Sequence, residues 1–366
     1  MDRVIIPNSS STPGFRRNRI SVVKKAMVKG SIFLVLLMVT TSVLNSIFIL
    51  KTDHRAKLLE GLYNHTGDAY DVVLMGSSHM NGAIDPNILW NQYGLTSFNY
   101  ATGGQPIDVT YYLLKEVLKN HPNPIVVVDL YYLGLTDEYG DEGYVSNALD
   151  NMKLSMNKLE AIINCTPYKD RMGYLFPILK YHDRWKELTK ADFFYDSSSD
   201  YYAKGFESGT TNYGKADTSS GSPTETVNLP PKTQEYLNKI IDLSKEKGFK
   251  LIFTNTPYDY NSTDSNWVKE QAKMFNKVAE IAKNNNIPFI DYCGKMKDIG
   301  FDFKADMNNS SHVNIWGASK ITMDFGKFLK ENYKLVDHHN DIKYSQWNSD
   351  YRHSQAASIL IPKKSS

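Results

Sequence analysis

Residues 31–50 run for twenty positions without a charge, and their polar members are only Ser, Thr and Asn45. As an α-helix rising 1.5 Å per residue, such a stretch measures about 30 Å, the thickness of a bilayer's hydrocarbon core. Arg16, Arg17, Arg19, Lys24, Lys25 and Lys29 crowd the side before it. Basic residues stay on the cytoplasmic side of a span, so the amino terminus is expected inside and everything beyond residue 50 outside. A cleaved leader would have a shorter apolar run, with a small-x-small site after it. A buried core helix would leave the basic flank unexplained. The reading is an uncleaved, single-pass signal anchor (31–50) in contact with membrane lipid. A polar, Ser-rich, disordered cytoplasmic tail (1–30) precedes it, and a charged stalk (51–70) follows, with a short helix over 57–63.

Beyond the stalk, short apolar runs alternate with stretches of helical spacing. Strands are expected at 72–75, 97–100, 124–129, 250–254 and 288–291, and helices at 86–93, 107–120, 233–247, 265–284 and 316–333. Runs such as Val72 to Met75 and Ile125 to Val128 carry no polar residue, the pattern of strands buried on both faces of a parallel sheet. Helices between such strands imply βαβ units, hence an α/β domain at 71–333. Within it, 134–229 breaks the alternation and reads as an insertion over the sheet's carboxyl edge. Its first part is helical and irregular, and its second, from 196, a mobile loop rich in Ser, Thr, Gly and Asp. A tail, 334–366, wraps the surface. The net charge of +2, with no basic stripe, predicts no nucleic-acid partner. Cys165 and Cys293 lack metal-ligand spacing, and nothing calls for a cofactor.

The chemistry gathers at the carboxyl ends of the strands, where open α/β sheets bind ligands. Gly76 breaks the first strand, and Ser77, Ser78 and His79 follow it. A serine on a tight strand-to-helix turn exposes its Oγ, whereas an ordinary helix cap would also favour Ser there. His312, in the loop before the last long helix, can approach Ser78, because both loops open at one edge. Gly104, after the second strand, lets backbone N–H come close to a substrate. A serine nucleophile needs such a base and such donors. Taken alone, each residue has a plainer reading: a turn, a solvated imidazole, a loop glycine.

In order and spacing, Gly76-Ser77-Ser78, Asn99 followed by Gly103-Gly104, and Asn309-Ser310-Ser311-His312 resemble the three blocks of the SGNH (GDSL-like) hydrolase superfamily. The resemblance covers about 71–133 and 232–333. It implies a three-layer α/β/α, flavodoxin-like fold with about five parallel strands and a serine esterase or acyltransferase activity. Ser78 would be the nucleophile and His312 the base, with Asn309 or Asp306 orienting the imidazole. The backbone N–H groups of Ser78 and Gly104 would form the oxyanion hole. Two departures stand out. The acid position holds Asn309, not aspartate, although an amide oxygen can also orient a histidine. The asparagine expected after the third strand is absent, leaving Asn255 or Tyr131 as substitutes for the third oxyanion donor. His79 is read as a helix-start residue that touches substrate or caps, not as the base. A single anchor beside such a domain resembles the branches that modify surface polymers, such as alginate-type O-acetylation proteins. That likeness implies O-acetyl-type transfer or ester hydrolysis on a cell-surface glycan or polymer, with a multi-spanning membrane acyltransferase as partner. The alternative is a non-catalytic surface-binding or assembly protein that kept the fold.

Overall fold

The structure, a computed structural model, describes residues 13–65, 70–133, 138–219, 223–261 and 266–360. It separates into two units.

The first unit comprises one long helix, α1 (Pro13–Phe48), and the segment Phe176–Phe193. Within α1, Val22–Phe48 is long and apolar enough to cross a membrane. The helix starts at Pro13, well before residue 31, so the disorder expected for 1–30 does not hold from Pro13 onward; residues 1–12 lie outside the described residues. Proline suits a first helical turn, and once a helix is nucleated each further residue costs little to add. Phe176–Phe193 holds two short α-helices, Pro177–Tyr181 and Lys190–Phe193, with a 3-10 helix, His182–Lys186, between them. It is fastened to the carboxyl end of α1. The Ile178 N–H donates to Asn45 Oδ1 (3.0 Å), and the Arg184 guanidinium donates to the carbonyls of Phe48 and Ile49.

The second unit is built on five parallel strands: β1 (Val72–Met75), β2 (Ser97–Asn99), β3 (Ile125–Asp129), β4 (Lys250–Asn255) and β5 (Phe289–Asp291). Their order is β2-β1-β3-β4-β5, with Val72 paired to both Ser97 and Ile125. Side chains of a strand alternate between faces. Accordingly Val73, Met75, Val126, Val128 and Phe253 fall in one buried cluster, and Val72, Leu74, Val127 and Ile252 in the other. The first core is closed by helices such as Ile107–Val117 and Pro231–Lys247, through Leu113, Val117, Leu237 and Ile240; the second is closed by Ile315–Asn332, through Ala318, Ile321 and Phe325. All five expected strands are present, each within two residues of the expected ends.

Three expectations need correction. Residues 51–70 are not a stalk. The helix α2 (Asp53–Leu59) continues into a π-helical turn, and Leu58 and Leu62, one turn apart, are fully buried in the first core. Gly61 admits the rings of Phe98 and Tyr100, and the Tyr100 hydroxyl donates to the Gly61 carbonyl at 2.8 Å. Residues 66–69 lie outside the described residues. The second half of the insertion is irregular, as expected, but hydrogen-bonded to the rest of the unit at several of its described residues. Asn99 N–H donates to Lys204 C=O, Tyr213 N–H to Met307 C=O, and Thr218 Oγ1 lies 2.7–2.8 Å from the Asp259 carboxylate oxygens. The tail is a domain element too, for Trp347 and Tyr344 enter the first core.

Candidate active site

The strand order reverses direction between β1 and β3, because β2 lies on one side of β1 and β3–β5 on the other. Loops diverging from such a point leave a crevice at the carboxyl ends of the strands. There β1 ends in Gly76, whose φ of +139° only glycine adopts with ease; a Cβ would lie 3.0 Å from Asp129. A six-residue helix, α3 (Ser78–Ala83), begins two residues on.

The two serines divide the labour. Ser77 is buried and is the cap: its Oγ accepts from the His79 N–H at 3.3 Å. Ser78 is therefore spared that role, and its Oγ lies 2.8 Å from His312 Nε2, across 234 positions of sequence. The other ring nitrogen, Nδ1, is 3.3 Å from Asn309 Oδ1 and 3.0 Å from Ser311 Oγ. The Asn309 amide oxygen can only accept, so the tautomer that satisfies it carries the proton on Nδ1 and leaves the Nε2 lone pair facing the Ser78 hydroxyl. The same oxygen accepts from the backbone N–H groups of Ser311 and His312, both at 2.9 Å, which fixes the loop that carries the imidazole. The Tyr131 hydroxyl in turn hydrogen-bonds Ser311. Burial holds the His312 pKa below the ordinary imidazole value. The ring is therefore neutral, and able to accept a proton, at pH 7.

Around this pair lie groups to which sequence reasoning gave no such part. His79 is buried under His312, ring centroids 4.4 Å apart, and stacks on Tyr131 at 3.3 Å and 15°. Its Nδ1 is 3.2 Å from Thr256 Oγ1. Tyr132, the next residue along, brings its hydroxyl within hydrogen-bonding reach of Ser78. The signal for it was the Tyr131-Tyr132 pair, one residue beyond the strand at the switch point. Asp129 ends β3 beneath them, its carboxyl pushed up to about 7 by burial.

Gly104 has φ +62°, and a Cβ there would run into the Tyr144 ring, so its glycine is required by the backbone and by that ring. Neither the Ser78 N–H nor the Gly104 N–H has an acceptor among the described residues. The neighbouring Gly103 N–H is held by His54 Nε2 at 3.1 Å. Asn99 is structural: its amide donates to the Met80 carbonyl and accepts from the Ala101 N–H, tying the end of α3 to β2.

Asp306 does not take the orienting role. Its buried carboxylate accepts from Lys320 Nζ and the Asp302 N–H, both at 2.6 Å, and no carboxylate bonds His312 among the described residues. Asn255 is likewise engaged elsewhere, donating to Asp291 Oδ1 at 3.0 Å. Cys165 and Cys293 are free thiols.

A hydroxyl hydrogen-bonded to a neutral imidazole, which is itself held by neutral acceptors, can deliver an alkoxide-like nucleophile and park its proton on nitrogen. No protein-family model matches the chain, and no curated protein matches it.

Proposed function

We propose that this is a single-pass membrane protein of the SGNH (GDSL-like) kind, whose domain, held outside the membrane, performs serine-dependent acyl chemistry on a cell-surface glycan or polymer. The observation that carries the reading is the 2.8 Å contact between Ser78 Oγ and His312 Nε2, made by two loops distant in sequence at the switch point of the sheet. The strand order 2-1-3-4-5 is that of flavodoxin-like sheets, which supports the same fold.

In this reading Ser78 Oγ attacks the acyl carbonyl carbon while its proton passes to His312 Nε2. The oxyanion is met by the N–H groups of Ser78 and Gly104, with the Tyr132 hydroxyl as the third donor. The protonated His312 then gives its proton to the leaving oxygen, and the acyl group stays on Ser78. A sugar hydroxyl completes a transfer, or water a hydrolysis, with His312 again as the base. A multi-spanning acyltransferase in the same membrane would supply the acyl group in the transfer case.

The second reading, a surface-binding protein that kept the fold, is favoured by one observation: His312 is oriented by an amide and a hydroxyl, not by a carboxylate. A serine-directed fluorophosphonate separates the two. The full chain in native membranes is expected to be labelled, with Ser78→Ala abolishing labelling and His312→Ala slowing it about 10²–10⁴-fold. A folded, membrane-embedded chain whose Ser78 ignores the probe would leave the binding reading standing.

A further inference from the structure

We infer that Phe176–Phe193 is a membrane-interface collar, lying in the boundary between headgroups and acyl chains of the bilayer that α1 crosses. The inference rests on the reading of α1 as a membrane span, and it adds a second, non-spanning contact with lipid.

The first observation is exposure. Within these eighteen residues Leu179, Trp185 and Phe193 are 56%, 63% and 54% exposed, and Phe176 is also exposed. Large apolar side chains so concentrated on one short segment mark an interaction surface, not ordinary surface scatter. The second observation is place. The segment is bonded to α1 at Asn45, Phe48 and Ile49. These are the last residues of the apolar run before Lys51, Asp53 and Arg55. Asn45 and Ile49 are four residues apart, about 6 Å along a helix. That matches the roughly 5–10 Å to which amphipathic interfacial elements sink their apolar face.

The third observation is chemistry. Trp185 and Tyr181 are the residue types that gather at the membrane–water boundary, apolar in the ring and polar at one atom. Lys186 Nζ lies 5.2 Å from the Trp185 ring and Lys180 Nζ 5.1 Å from the Tyr181 ring. Long lysine stems can lie along lipid while the ammonium reaches water. The buried carboxylate of Asp192 is neutralised by Arg184 at 2.8 Å. Lipid is the occupant that all three observations share, because the segment is tied to the end of the apolar span itself.

Trp185 is its own reporter. The full chain and its Trp185→Phe variant would be reconstituted in phosphatidylcholine vesicles brominated either near the headgroups or near the chain ends. The emission lost in the variant isolates Trp185. That component is expected to lose most of its intensity to shallow bromines and distinctly less to deep ones. A second reporter, Phe193→Trp in the Trp185→Phe background, is expected to behave alike. Emission from both reporters untouched by either lipid, in a chain that resists alkaline extraction, overturns the collar and leaves the span standing. Quenching stronger from deep than from shallow bromines also overturns it, by burying the segment in the core. Release of the chain by alkaline extraction overturns span and collar together.

Discussion

The orientation of His312 depends on two acceptors, and removing them one at a time should cost far less than removing both. Asn309 Oδ1 and Ser311 Oγ both lie within 3.3 Å of Nδ1. In Asn309→Ala the ring N–H keeps Ser311, which the Tyr131 hydroxyl holds in place. The loss is one neutral hydrogen bond, about 0.5–1.5 kcal/mol net. If all of it appears in the barrier, the rate falls about 2- to 13-fold. Asn309 is exposed, so water can also take over the two backbone N–H groups it caps, and the fold should survive. Ser311→Ala should cost about as much. The double variant leaves Nδ1 no protein acceptor, and its rate should fall by more than the product of the two singles, toward the loss expected for His312→Ala. The assay is the second-order rate of fluorophosphonate labelling at Ser78, with thermal melting to confirm folding. Asn309→Ala alone reaching the His312→Ala rate would refute the redundancy. A double variant no worse than either single would show that Nδ1 needs no protein acceptor.

Burial holds His312 below the ordinary imidazole pKa, and in the proposed mechanism the neutral form is the base. Labelling should therefore be lost as pH falls, with a midpoint below about 6.5; a midpoint above neutrality would contradict the burial argument, and Asn309→Asp should move it upward by placing a carboxylate beside the imidazolium. Leu58→Ala, in a region that reads as a stalk but packs as core, should destabilise the second unit by about 2–5 kcal/mol in chemical denaturation; a change under about 0.5 kcal/mol would restore the stalk. Gly104→Ala forces a side chain into the left-handed region, costing about 1–2 kcal/mol before the Tyr144 contact is counted. Adding Tyr144→Ala should recover part of the loss of labelling, and strictly additive losses would separate that ring from the Gly104 backbone.

Strands β1 and β3 were legible because they are uninterrupted apolar runs bounded by Gly, Pro and charge, whereas β2, with one apolar residue in three, was placed by its position between two helical stretches. Topology put the Ser78 and His312 loops at one edge, and the resemblance of their motifs to the SGNH blocks singled the two residues out; the 2.8 Å contact joins them. Residues 51–65 were misread because a helix with Asp53, His54, Arg55 and Lys57 looks solvated, while its burial depends on Phe98 and Tyr100, distant in sequence, closing over Gly61. Lys57 itself is buried, with Nζ donating to Asn81 Oδ1 at 2.5 Å and to the Ala101 carbonyl, partners that no local pattern announces. Asp306 was a fair candidate by spacing to His312, and failed because Lys320, one helix away, claims it. Tyr132 went unnoticed because the tyrosine considered for that place was its neighbour Tyr131, and nothing local in the sequence says that Tyr132 reaches Ser78 while Tyr131 reaches Ser311.

Two imidazoles meet at this site, and the surroundings decide which of them can be the base. His79 and His312 have ring centroids 4.4 Å apart, so both cannot be charged together without repulsion at low dielectric. His79 is the more deeply buried, and its pKa lies well below the ordinary value, first through desolvation and then through His312. It sits flat against the Tyr131 ring, with Nδ1 beside Thr256, while the Ser78 hydroxyl is bonded to the other imidazole. His312 has the serine on one nitrogen and acceptors on the other, and burial alone lowers its pKa. Pairs of titratable groups whose environments separate their affinities for a proton divide the work of a site. In the proposed mechanism this division would send the Ser78 proton to His312, the imidazole it is bonded to, and leave His79 as a neutral plate beneath it. A neutral plate opposes the imidazolium less than a cation would, yet adds no charge to stabilise it. With an amide in place of a carboxylate on Nδ1, that stabilisation falls to dipoles: Asn309 Oδ1 and Ser311 Oγ. On the proposed reading, such a base would be weaker than one backed by an aspartate, and the site would be better matched to an activated acyl donor than to a resistant ester.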